Sequence, residues 1–160
     1  MEYEKIKLPV SLGRAVSKYL TMEKGIVPTV NEYGLLEFKF LPEELEMVKR
    51  IELSNIKKDA LEKIKYLKNL ETLIISNEDG HHEDLEVAEA HESEEYSIED
   101  RDFMDIAQCE NIKNLVIIAQ NKLKRIDLNY FKNLKYVELR CNKNLEIIDA
   151  GREVDNLETF

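Results

Sequence analysis

Four apolar residues spaced apolar-x-x-apolar-x-x-apolar-x-apolar recur along this chain at a nearly constant interval, and no other feature restricts its fold so tightly. The sets are Leu45, Val48, Ile51, Leu53; Leu67, Leu70, Leu73, Ile75; Cys109, Ile112, Leu115, Ile117; and Phe131, Leu134, Val137, Leu139, with a fifth opening at Val154, Leu157, Phe160. Between second members the intervals are 22 (Val48 to Leu70), 42 (Leu70 to Ile112), 22 (Ile112 to Leu134) and 23 (Leu134 to Leu157), the 42 being close to two repeats. A period of this length marks a solenoid, in which one unit cannot bury its own apolar face and does so only by stacking on its neighbours.

The spacing also dictates the shape of one unit. Leu73 and Ile75 lie two apart, which puts both side chains on one face of an extended strand. Upstream, Leu61, Ile64, Leu67 and Leu70 fall every third residue, a phasing that suits a helical or 3₁₀ return with its apolar stripe inward and Lys63, Lys65 and Lys68 in water. The prediction is an α/β solenoid with short parallel strands on the concave face and helical or 3₁₀ returns on the convex face. A helical bundle with heptad-like leucines is the competing fold. The β-branched content of Leu73-Ile74-Ile75 and Val116-Ile117-Ile118 argues against it.

The segment Leu134-x-x-Val137-x-Leu139-x-x-Asn142, followed by Leu145 and Ile148, resembles the strand motif of the leucine-rich repeat family, asparagine included. The 22-residue period and the three-residue apolar phasing are similar to those of the bacterial internalin-like subclass. The resemblance covers residues 45–160, although Ile56, Glu78 and Gln120 stand where the other repeats would carry that asparagine. It implies a leucine-rich repeat solenoid, of a subclass whose members are typically secreted or surface-attached. Bacterial proteins of the family can carry a separate cysteine-dependent ubiquitin ligase domain, and nothing in this chain resembles one.

Residues 1–44 lack the repeat and read as a small α/β cap over the first open end of the stack. Pro9 precedes a predicted helix from Val10 to Leu20 with Leu12, Val16, Tyr19 and Leu20 on one face. From Gly34 onward Leu36, Phe38 and Phe40 alternate with Glu37 and Lys39 as a strand, and Pro42 opens the next helical turn. Cap and repeats (45–160) join without a Gly/Ser-rich linker, which predicts one cooperative domain. Phe160 occupies the third apolar position of its repeat, so either the last strand is the terminus or the sequence is a fragment, the latter favoured because an uncapped end exposes core.

Charged residues make up 35% of the chain and the formal net charge is −10, but the acidity is local. Between Glu78 and Asp105 there are 13 acidic residues and one basic, Arg101, which leaves 20 acidic and 22 basic elsewhere. This insertion fills the place of the missing repeat. One reading finds a degenerate copy there (Ala90, Ser93, Tyr96, Ile98), with Tyr96 and Ile98 inward and Ser97 with Asp100 opening a helical return through Phe103, Met104 and Ile106. The other is a solvated acidic loop, or a docking element for a basic partner surface.

Chemistry-bearing motifs are sparse. His81, His82 and His91 all lie in the insertion among Glu83, Asp84, Glu89 and Glu92, but their spacing matches no established metal site, and Asp79 to Glu86 lacks the ligand alternation of a calcium loop. Neither a metal nor a cofactor is expected. Cys109 takes a repeat's apolar position and should be buried, whereas Cys141 follows a strand and should be exposed. No histidine lies near either in sequence to activate a thiol, and the scattered glycines make no phosphate loop, so no enzymatic activity is expected. The overall charge disfavours nucleic acid, and no apolar run is long enough to span or anchor in a membrane. The first residues carry no apolar signal region, which predicts a cytoplasmic protein, or a secreted one if a signal has been removed.

The remaining candidate is the concave sheet. Its outward positions are Arg50, Glu52, Ser54; Thr72, Ile74, Ser76; Asn114, Val116, Ile118; and Tyr136, Glu138, Arg140, to which a degenerate repeat would add Glu95, Ser97 and Glu99. Apolar residues in the middle with charge, Tyr and Arg at the ends resemble a protein-binding patch, centred on Arg50, Glu52, Thr72, Ile74, Asn114, Val116, Ile118, Tyr136, Glu138 and Arg140. Packing of β-branched neighbours along the sheet would select some of the same residues. Two functions follow: a non-catalytic module that binds a protein partner through this face, its acidic loop tuning partner choice, or a structural or regulatory segment of a larger leucine-rich repeat protein.

Overall fold

The computed structural model describes residues 5–24, 29–30, 36–54, 58–77, 97–149 and 157–159. At the N-terminal end, β1 (Ile6–Lys7) is followed by α1 (Val10–Lys24), β2 (Thr29–Val30), β3 (Leu36–Glu37), β4 (Lys39–Phe40) and α2 (Pro42–Leu45). Leu12, Val16 and Leu20, one helical turn apart, are fully buried, and Tyr19 packs against the same core from its margin. The helix runs on to Lys24, four residues past the expected end at Leu20. The expected strand over Leu36 to Phe40 is divided in two. Its first part, β3, pairs antiparallel with β2, and its second, β4, pairs antiparallel with β1. Gly13 lets α1 close on this pair, because a methyl group there would fall on Cβ and Cγ of Phe38. Pro42 starts α2, where the Glu44 carboxylate reaches back to accept the Leu41 N–H at 2.7 Å.

Five parallel strands then assemble in the order β11-β9-β7-β6-β5. They are β5 (Arg50–Ser54), β6 (Thr72–Ser76), β7 (Asn114–Ile118), β9 (Tyr136–Arg140) and β11 (Leu157–Thr159), with β8 (Arg125–Asp127) and β10 (Ile147–Asp149) forming a second parallel pair. Each long strand buries alternate residues, as its period of two requires. Ile51, Leu73, Leu115 and Val137 form one inward row, and Leu53, Ile75, Ile117 and Leu139 the next, all at most 2% exposed. The returns pack behind them. α3 (Lys58–Lys63) and the 3₁₀ turn Ile64–Tyr66 bury Ala60, Leu61 and Ile64, while Lys63, Lys65 and Lys68 are exposed as expected. α4 (Phe103–Ile106) buries Phe103 and Ile106, and the Phe103 ring meets Phe131 edge-on at 6.2 Å. The chain is thus a mixed α/β fold built on a parallel sheet.

Two expectations from the sequence are corrected by the register. Leu73 faces Leu115 directly, so β6 and β7 are immediate neighbours and no strand from the 42-residue interval lies between them. The degenerate repeat is therefore not a strand of this sheet. Instead Ser97 and Ile98 are buried beside the later segment 120–125: the Ile98 N–H donates to Gln120 Oε1 at 2.9 Å, the Lys122 N–H to Ser97 Oγ at 2.9 Å, and the Arg125 N–H to Asp100 Oδ1 at 3.0 Å. The helical opening there is a 3₁₀ turn, Asp100–Asp102, closed by the Glu99 N–H on Asp102 Oδ2 at 2.8 Å rather than by Ser97, and Met104 is exposed. Tyr96 and the insertion's residues 78–95 lie outside the described residues.

The fifth repeat is also displaced. Val137 faces Leu157, so Leu157 holds the strand position expected for Phe160. The step from Val137 to Leu157 is 20 residues, not the 23 read from the apolar pattern, because the last repeat is shorter than its predecessors.

Successive turns are tied by side-chain amides. The Nδ2 groups of Asn69, Asn111, Asn133 and Asn144 donate to the carbonyls of Glu46, Lys68, Glu110 and Asn121 at 3.0, 3.0, 2.9 and 2.6 Å. A second, interior line runs from Asn142 to Gln120. Asn142 Oδ1 accepts the Gln120 N–H at 2.9 Å and its Nδ2 donates to the Ile117 carbonyl at 3.0 Å, while the fully buried Gln120 side chain donates to the Ile118 carbonyl at 3.0 Å. Gln120 therefore performs the bridging that an asparagine performs at 142. Among the described residues no helix is long and apolar enough to cross a membrane.

Candidate functional site

The outward face of β5, β6, β7 and β9 brings all ten predicted site residues together in three rows. Arg50, Thr72, Asn114 and Tyr136 form the first, Glu52, Ile74, Val116 and Glu138 the second, and Ser54, Ser76, Ile118 and Arg140 the third. The same alternation that drives Leu73 and Leu115 into the core turns Ile74 and Val116 outward, where both are half-buried. Ser97 and Glu99 do not join this face, since their segment packs beside 120–125, and Glu95 lies outside the described residues.

The polar groups of the face are mostly satisfied by one another. The Arg50 guanidinium donates to Glu52 Oε1 at 2.9 Å on β5. On β9 the Tyr136 hydroxyl donates to Glu138 Oε1 at 2.8 Å and Arg140 to Glu138 Oε2 at 2.7 Å, holding a carboxylate that is only 16% exposed. Between these clusters Asn114 Nδ2 donates to Thr72 Oγ1 at 3.0 Å. The centre is left as Ile74, Val116 and Ile118, a partly exposed apolar strip between internally neutralised ends.

One wall of the face was not anticipated. α1 stands against β5, and two hollows open between them, lined from the helix side by Arg14, Lys18, Tyr19 and Met22 and from the strand by Glu52 and Ser54. Arg14, Lys18 and Met22 recur at four-residue steps, which is a single stripe of the helix. That stripe is the signal in the sequence, and it reads there as an ordinary solvated face.

The thiols sit as expected. Cys109 is buried with its Sγ donating to the Ile64 carbonyl at 3.2 Å, and burial pushes its pKa up to about 12, so it remains a protonated thiol rather than a nucleophile. Cys141 is exposed and adopts the left-handed conformation, φ 57°, as does Ala119 at the equivalent place after β7, φ 58°. His81, His82 and His91 lie outside the described residues. Among the described residues no three His, Cys, Asp or Glu side chains are grouped to hold a metal ion. No protein-family model matches this sequence, and no curated protein matches it.

Proposed function

We propose that this chain is a non-catalytic protein–protein interaction module of leucine-rich repeat type, which engages a protein partner through the outward, concave face of its parallel sheet. The acidic insertion tunes partner choice through its field, since charge of one sign near an interface chiefly alters encounter rate and selectivity. The observation that carries the proposal is the middle of the face: Ile74 and Val116 are cross-strand neighbours, half-buried, and bracketed by charges already paired among themselves. Leaving such a strip in water is unfavourable, and covering it leaves no charge on the sheet stranded. Tyr136 and Arg140 supply side chains of the kind that anchor interfaces. The solenoid assignment is supported by strand registers that advance by 22 residues from Ile51 to Leu73 and again from Leu115 to Val137, the first step returning through α3 and the second through β8 and a 3₁₀ turn at Leu128–Tyr130.

The test is a pull-down with the wild-type chain beside an Ile74→Lys/Val116→Lys double variant. Lysine suits the register, because Ile74 faces Glu52 and Val116 faces Glu138. The expected result is a protein retained by the wild type and lost by a variant whose circular dichroism is unchanged. An identical set of captured proteins on both would overturn the proposal.

A further inference from the structure

The two hollows between α1 and β5 measure about 520 and 350 Å³ and adjoin one another, sharing Ala15, Lys18, Glu52 and Ser54 in their walls. Their charges are not balanced in the way those of the sheet are. Glu52 is engaged by Arg50, and the one other carboxylate lining either hollow is Asp59, in the first turn of α3. Against it stand two cations on the same helical stripe, Arg14 and Lys18, neither of which has a hydrogen bond or ion pair with any described residue. A turn further on, Met22 is 74% exposed at the end of the second hollow. Glu52 faces Ile74 across the strand pair, so this cationic wall continues directly into the apolar strip.

We propose that the α1–β5 groove is an anchor subsite which receives an acidic side chain from an extended segment of a protein partner. A neighbouring aliphatic or aromatic side chain of the same segment rests on Met22 and Ile74. The inference depends on the outward face being a protein-binding surface and adds the chemistry of what binds: a carboxylate next to an apolar residue. Arg14 and Lys18 supply charge-assisted hydrogen bonds, which are the stronger kind, and Met22 supplies an adaptable apolar contact.

The experiment is a selection of random linear peptides displayed on phage against the full-length chain, followed by fluorescence anisotropy on the enriched peptides. The expected peptides carry Asp or Glu beside Leu, Ile or Phe, and their affinity falls about tenfold or more with Arg14→Glu or Lys18→Glu, the effect of losing one hydrogen bond to a charged group. Lys18→Gln, which removes the charge without reversing it, should give a smaller loss, and unchanged melting temperatures would show that all three helix variants fold. Peptides without acidic residues, indifferent to these variants but lost with Ile74→Lys, would overturn the anchor and leave the sheet reading standing. Peptides indifferent to all of them would overturn both. A selection that enriches nothing would overturn the anchor, with the sheet reading then judged by the pull-down.

Discussion

At the middle of the sheet, β6 and β7 carry similar aliphatic residues on both faces, and the two faces serve opposite ends. Leu73, Ile75, Leu115 and Ile117 are completely buried, whereas Ile74, Val116 and Ile118, each one position away, are half-exposed. Composition does not distinguish them, since an isoleucine occurs on both sides of β6 and of β7. What differs is the neighbour across the pleat: return helices on one side, paired charges and solvent on the other. The fold is held by the inner rows, which leaves the outer rows free to vary with whatever they contact.

The most direct way to break this comparison is to truncate one residue on each face of β7. Leu115→Ala should cost about 2–5 kcal/mol, because a fully buried leucine loses its transfer energy and leaves a cavity that the sheet cannot collapse. Val116→Ala, its neighbour on the half-exposed face, should cost well below that range. Equal losses in urea titrations would mean that the face assigned as outer is core.

The cap allows a second contrast, between a contact made by adding atoms and one made by leaving them out. Gly13→Ala ordinarily favours a helix, yet here the methyl would collide with Phe38, so a destabilisation of about 1–3 kcal/mol is expected from overpacking. A stabilised variant, read from its thermal midpoint, would show that α1 does not close on β4 as described. Gln120→Ala should cost about 1–3 kcal/mol by orphaning the buried Ile98 N–H, and it would do so without touching either face of the sheet. Loss of less than about 0.5 kcal/mol would mean that water replaces the side chain there.

These positions also show where the sequence was legible. The strand registers of β5, β6, β7 and β9 could be read because two signals agree, alternation within a strand and a fixed step between strands, and the ten candidate residues followed from them. The register of Leu157 was misassigned because the last step shortens, and three-residue apolar phasing fits two alignments when one repeat loses residues. The direct pairing of β6 with β7 was hidden for a related reason: an interval of 42 residues looks like two repeats until the hydrogen bonds are known. The asparagine ties at 69, 111, 133 and 144 precede the strand or its equivalent, whereas the family resemblance directs attention to the position after it. The α1 wall left no periodic trace that separates it from solvent. Docking of a helix beside an edge strand is a tertiary event, and Arg14, Lys18 and Met22 are what any exposed helical stripe could carry.

The smallest effect is also the sharpest test of register. In the middle row Val116 faces Glu138, a carboxylate already accepting bonds from Tyr136 and Arg140 and largely withdrawn from water. Val116→Glu places like charges directly across a strand pair, and Val116→Lys places opposite ones, so the two variants should differ by about 0.2–1 kcal/mol in favour of lysine. Backbone and burial costs are nearly common to both, and the comparison therefore isolates the cross-strand neighbour. Raising the salt concentration should narrow the gap, since a partly exposed pair is screened. If glutamate were the more stable of the two, the group opposite Val116 would have to be cationic. Arg140 would then stand where Glu138 is placed, the rows of the outer face would be shifted along β9, and the apolar strip would no longer lie between its paired charges.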